Sequence, residues 1–182
     1  MQHFDELWKA ELESLKVAIL KSVDGTVDEQ DRFFLLERPL FYSAFIVRKL
    51  IEDIGVTDRL RGDWLEIIQH ASSRDGNPIF LEPLLGPLMV EDHFNLAEHT
   101  QVRVSYSDLT SEIMHSGGLV WIPGNGGIVA FMVFSYRNML RRLLVVRIDQ
   151  YLDMLGAVIS DQPTRWWSEL DVDTGKVTCR AE

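Results

Sequence analysis

The sequence predicts an α+β fold: an N-terminal helical layer followed by a small, mainly antiparallel sheet with one further helix. Three observations carry that expectation. Apolar residues recur at helical spacing through the first 55 positions, period-two alternation begins at Gln101, and apolar strand-like runs follow from Leu119 onward. One domain spans 1–182, divided into a helical layer over about 1–70, a loop-rich stretch over 71–100, and sheet and helix over 101–182.

Phe4, Leu7, Trp8, Leu12, Leu15 and Ile19 form the first helical stripe, with Asp5, Glu6, Glu11 and Glu13 on other faces. The early acids complement the positive end of the helix dipole. Val23-Asp-Gly-Thr reads as a turn, after which Asp28 caps a short helix carrying Phe33, Phe34, Leu35 and Leu36. The residue before a proline avoids αR, so this helix should bend or end near Arg38. The central helix then carries Leu40, Ala44, Val47, Ile51 and Ile54 on one stripe, widened by Phe41, Phe45 and Leu50. Pro39 suits its first turn, and Gly55 suits the C′ position, where positive φ is common. A helix this apolar must be enclosed by neighbours.

Asp63 to His70 fits either a short helix or a strand. Pro78, Pro83, Gly86 and Pro87 prevent a long element, so 71–100 reads mostly as ordered loop. Gln101 to Tyr106 is a strand, and Ser107 or Asp108 caps a short helix ending at Gly117-Gly118. Leu119 to Ile122, Ile128 to Tyr136 and Leu143 to Ile148 read as strands, the first two linked by a Pro-Gly-Asn-Gly-Gly hairpin turn. The middle strand is apolar at both parities, which predicts cover on both faces. Asp149 caps a helix with Tyr151, Leu152, Leu155, Val158 and Ile159 inward, stopped by Asp161 and Pro163. Trp166 to Cys179 reads as a terminal hairpin.

A chain of 182 residues buries roughly two thirds of its unfolded surface. The formal charge of −10 argues against broad binding to nucleic acid, which needs Lys and Arg on phosphates. A single cysteine, Cys179, forms no internal disulfide and suits a reducing compartment. The N-terminus lacks a signal-peptide pattern, and the apolar run Ile128 to Phe134 is too short to span a bilayer. A soluble, cytoplasmic protein without membrane contact, cofactor or metal is expected.

Ser107-Asp-Leu-Thr-Ser-Glu-Ile-Met-His-Ser is the most suggestive polar stretch. On a helix Ser111 and His115 share one face, and Asp108 and Glu112 the adjoining one. The candidate catalytic residues are therefore His115, Ser111 and Glu112; the bland alternative makes His115 a last-turn residue bonding a free carbonyl. Arg137, Arg141, Arg142 and Arg147 lie in an acid-free segment. Arg141 and Arg147 project from one strand face and Arg142 from the other, so the candidate binding residues are Arg48, Arg141 and Arg147. The alternative is a solvated edge. Glu91-Asp-His93 and Glu98-His99 carry metal-capable side chains without a recognised ligand spacing. The pair Trp166-Trp167 reads as an exposed contact or as the seal of one core end.

The helix from Arg38 to Glu52, together with Ser111-Glu-Ile-Met-His-Ser, resembles a group of uncharacterised bacterial proteins and, more distantly, the HEPN superfamily of helical domains in ribonucleases, toxins and defence systems. HEPN nucleases carry an Arg, often followed by Asn, and then a His. His115 matches that His and Ser111 stands at the Asn, whereas the Arg is unmatched: positions 108 to 110 hold Asp, Leu and Thr. The resemblance covers roughly residues 1–118.

The leading expectation is a non-catalytic binding or regulatory protein acting through a protein partner or a self-dimer. One rival is a divergent HEPN-like ribonuclease in which His115 is the general acid or base and Arg48 or Arg141 stabilises phosphate charge; RNA is a partner only there. The other is small-ligand binding in a pocket between helices and sheet.

Overall fold

The computed structural model describes residues 2–24, 28–73, 90–138, 141–172 and 174–182. Helices α1 (Gln2–Val23) and α2 (Glu29–Glu52) pack on each other and form the helical layer. The break expected near Arg38 is absent, and α2 runs unbroken through Pro39. Leu36, Leu40, Ser43, Ala44, Val47 and Leu50 form one continuous buried stripe across the proline. Burying that stripe outweighs the roughly 3 kcal/mol of an interior proline. The carbonyl denied its helical donor belongs to Leu35, whose side chain is exposed.

The end of α2 also departs from expectation. Ile54, not Gly55, takes the positive φ of 63°, which a β-branched residue seldom adopts. Gly55 is required by space: a Cβ there would stand 2.7 Å from Leu50 Cδ2. Thr57 then caps the single-turn α3 (Asp58–Arg61), accepting from the Leu60 N–H at 3.3 Å. Asp161 clamps that cap from the far end of the chain, accepting from the Thr57 backbone N–H at 2.6 Å and its hydroxyl at 2.9 Å.

The ambiguous segment is a strand, β1 (Trp64–Ala71), so the helical layer ends near residue 61 rather than 70. Leu65 and Ile67 face the core while Trp64, Glu66 and Ile68 are exposed, an alternation a helix cannot produce. Of the loop expected over 71–100, residues 74–89 lie outside the described residues; a single 3₁₀ turn, Val90–Asp92, precedes β2 (Thr100–Ser105). With β3 (Ser116–Gly124), β4 (Gly127–Ser135) and β5 (Arg142–Arg147), these strands form a wholly antiparallel sheet in the order β2-β1-β5-β4-β3. The β3–β4 turn is Asn125-Gly126, with Gly126 at φ 97°.

Helix α4 (Tyr106–Met114) connects the two edge strands. Five strands span about 19 Å between their outer axes, and nine helical residues about 13 Å, so α4 crosses most of one face. Its N-cap is Ser105 rather than Ser107 or Asp108, with the Ser105 hydroxyl accepting from Asp108 N–H at 3.0 Å. It ends at Met114, and Gly117-Gly118 lie inside β3 beside a bulge. A Cβ on Gly117 would press on the Phe134 ring at 3.2 Å.

The helices cover the sheet face carrying Ile67, Val104, Phe131, Val133, Leu144 and Val146. The opposite face has a smaller cluster in which Val90 and Phe94 cover Phe134 and Leu143. Cover on both faces of β4 is thus incomplete, since Val129 stays exposed. Helix α5 (Ile148–Ser160) buries Tyr151, Leu152, Leu155 and Val158 as expected. Arg147, not Asp149, holds its N-cap position, without a side-chain cap bond. Strands β6 (Trp166–Leu170) and β7 (Val177–Ala181) form the terminal hairpin, with Trp166 and Trp167 both partly exposed rather than sealing the core. Among the described residues no helix is long and apolar enough to cross a membrane.

Candidate functional site

Helix α4 divides by chemistry. Leu109 and Ile113 are fully buried, whereas Asp108, Ser111, Glu112 and His115 recur at i, i+3, i+4 and i+7 and form a polar stripe. That stripe lines a cleft of about 690 Å³ whose other walls are Arg48 from α2, Ser135, Arg137 and Asn138 at the end of β4, and Arg141 and Arg142 at the start of β5.

Glu112 organises the cleft. It is almost wholly buried, and its carboxylate accepts from the Ser135 backbone N–H at 2.9 Å, from Arg142 Nη2 at 2.7 Å and from the Asn138 amide. Burial pushes its pKa up, but the hydrogen bonds from Ser135, Arg142 and Asn138 together prevail and hold it below the ordinary carboxylate value. Asn138 is the second hub: its carbonyl accepts from the N–H groups of Arg141 and Arg142 at 2.8 and 3.0 Å. The Tyr136 N–H donates to the His115 carbonyl at 3.2 Å, fixing the turn against the end of α4. One buried carboxylate thus ties α4, the turn and β5 together.

Among the described residues four arginines, Arg48, Arg137, Arg141 and Arg142, meet here with only Asp108 and Glu112 as acids. Arg142 is committed to Glu112, and Arg48 pairs along α2 with Glu52 at 2.7 Å. Arg137 and Arg141 are exposed and have no ion-pair partner among the described residues. His115 is also exposed, at the C-cap of α4.

Of the residues singled out from sequence, His115, Ser111, Glu112, Arg48 and Arg141 all line the cleft. Arg147 does not: it lies on the surface, paired with Asp149. It stands six positions after Arg141, about 20 Å of strand rise, so the shared parity does not make a shared site. Arg142, of opposite parity, is the member the site uses. Glu112 is an anchor rather than a free acid or base, because Ser135, Asn138 and Arg142 already donate to it. Ser135 and Asn138 carried no sequence signal; Arg137 and Arg142 were visible only as part of the acid-free run.

The remaining candidates are dispersed. Among the described residues no group of His, Cys, Asp and Glu is placed to hold a metal ion. His70 is buried with Nδ1 against the Glu98 carbonyl at 2.8 Å, and its ring meets His99 edge-on. Arg103 lies on β2, stacked 3.9 Å over the Trp64 ring.

Comparison with protein-family models, curated proteins and solved structures returned no match.

Proposed function

We propose that the chain is a non-catalytic binding protein whose helix–sheet cleft takes a small anionic ligand. The observation that carries this reading is the gathering of four arginines against two carboxylates in a chain of net charge −10. Arginine's planar fork suits oxyanions, and two of the four guanidinium groups have no acid of their own among the described residues. Buried Glu112 supports the same reading, because it fixes the turn bearing those two arginines before any ligand arrives. Calorimetric titration with phosphate, sulfate, acetate and citrate should give saturable binding of at least one anion, lost in the Arg137→Ala/Arg141→Ala double variant. Failure of the wild-type chain to bind any of them sinks the reading. A cytoplasmic location accompanies it, since lone Cys179 suits a reducing compartment.

A second reading, the divergent HEPN-like ribonuclease, is favoured by one observation: His115, Ser111, Arg48 and Arg141 share the same cleft. There His115 is the general acid or base and an arginine stabilises phosphate charge.

A further inference from the structure

The following rests on the anion-binding reading and names the ligand. We infer that the cleft takes a phosphate monoester, its phosphate between Arg137 and Arg141 at the His115 end of α4 and its hydroxyl-bearing remainder reaching toward Asp108.

The two ends of the cleft differ in charge, and the backbone says which end is which. The Tyr136 N–H bonds to the His115 carbonyl, so Arg137 stands beside the last turn of α4. Arg141 is drawn to the same place, because its N–H closes on the Asn138 carbonyl while the Asn138 amide is fixed on Glu112. Asp108 lies in the first turn of α4, seven residues from His115 and so about 10 Å along the helix axis. The positive end is therefore separate from Asp108, the acid of the cleft that no arginine among the described residues pairs with.

Charge balance selects among oxyanions. Glu112 neutralises Arg142 and Glu52 neutralises Arg48, which leaves two guanidinium groups for the ligand. A phosphate monoester carries about −1.5 to −2 near neutral pH; a carboxylate or a phosphodiester carries −1 and leaves one guanidinium unanswered. The carbonyl end of α4 repels an anion with only about half a unit charge, less than either arginine supplies. Ser111, one turn before His115 on the same stripe, offers a hydroxyl donor that an unesterified phosphate oxygen can accept. At the far end the Asp108 carboxylate is acceptor-only and repels a second phosphate, whereas a ligand hydroxyl can donate to it. The ligand class is thus a small phosphorylated polyol or sugar.

The test is calorimetric titration of the whole chain at pH 7.5 with methyl phosphate, dimethyl phosphate, acetate and glycerol 3-phosphate. Methyl phosphate should bind at least about tenfold more tightly than dimethyl phosphate or acetate. Glycerol 3-phosphate should exceed methyl phosphate, and Asp108→Asn should erase that excess alone. Arg137→Gln and Arg141→Gln should each weaken methyl phosphate about tenfold or more, while Arg147→Gln, outside the cleft, changes nothing. Both arginines are exposed, so an unchanged melting curve separates lost binding from lost fold. Acetate binding as well as methyl phosphate overturns the ligand class and leaves the anion-binding reading standing. Preference for dimethyl phosphate overturns it in favour of the ribonuclease reading. No binding by any probe removes both.

Discussion

The hydroxyl of Ser43 on α2 lies 2.8 Å from the hydroxyl of Tyr151 on α5, both wholly buried. The Leu40 carbonyl lies within reach of both, 2.9 Å from the Ser43 hydroxyl and 3.3 Å from the Tyr151 hydroxyl, so two O–H protons are shared among three contacts. Burial, only partly offset by Ser43, holds the phenol well above its usual pKa, so it stays neutral across the accessible pH range. Tyr151→Phe should cost about 1 kcal/mol in urea unfolding, since Ser43 keeps its carbonyl partner. A loss near zero would mean that this polar contact adds nothing to the α2–α5 interface.

Ala44 and Val47 are fully buried on α2. Ala44→Glu forces an unpaired carboxylate into the core and should abolish the cooperative thermal transition. Substitutions at exposed Glu52 should change stability by no more than about 0.5 kcal/mol. A melt of Ala44→Glu within a few degrees of wild type would remove α2 from its central place.

Glu112→Gln leaves Arg142 without its counter-charge and should lower stability by about 3 kcal/mol at pH 7. The pH dependence has a definite sign. The folded-state pKa lies below the ordinary value of 4.5, so the charged carboxylate stabilises the fold above 4.5. That stability is lost as pH falls through the folded value. The gap between wild type and Glu112→Gln should therefore narrow on acidification from pH 5 downward. A constant gap in acid denaturation series would show that the carboxylate charge is not what holds the turn.

His115→Ala should leave stability within about 0.5 kcal/mol, because the exposed ring makes no side-chain hydrogen bond among those described. If the ribonuclease reading holds, wild-type protein cleaves an RNA pool with a His-like pH profile and the variant does not. If the cleft only binds, neither protein cleaves. Robust cleavage by wild type, lost in the variant, would displace binding as the proposed function.

Local periodicity made most of the fold legible. Leu12 and Ile19 of the α1 stripe, buried where Leu7 is exposed, the β3–β4 hairpin with its Asn-Gly turn, and the inward face of α5 follow from residues close in sequence. Pro39 taken locally favours a helix start, but the continuous buried stripe from Leu36 to Leu50 overrides that preference. The caps at Ser105 and Arg147 differ from expectation by two or three residues, close to the usual reach of boundary errors. The α4 face of the cleft was readable as helical spacing. Its facing wall was not, since pairing Glu112 with Arg142 depends on which strand lies beside α4, and Arg147 looked as good as Arg141 until strand rise separated them.

The pairing of β1 with β5 joins Ile68 to Val145 at the centre of the sheet. During synthesis the N-terminal helices, β1, β2 and α4 all leave the ribosome before β5 exists. Until then β1 has one bare edge and Glu112 has no guanidinium. Closing a loop this long is entropically costly and slow, so the central seam should set the folding rate. The cleft is a product of that closure, since Arg142 reaches Glu112 only once β5 is in place.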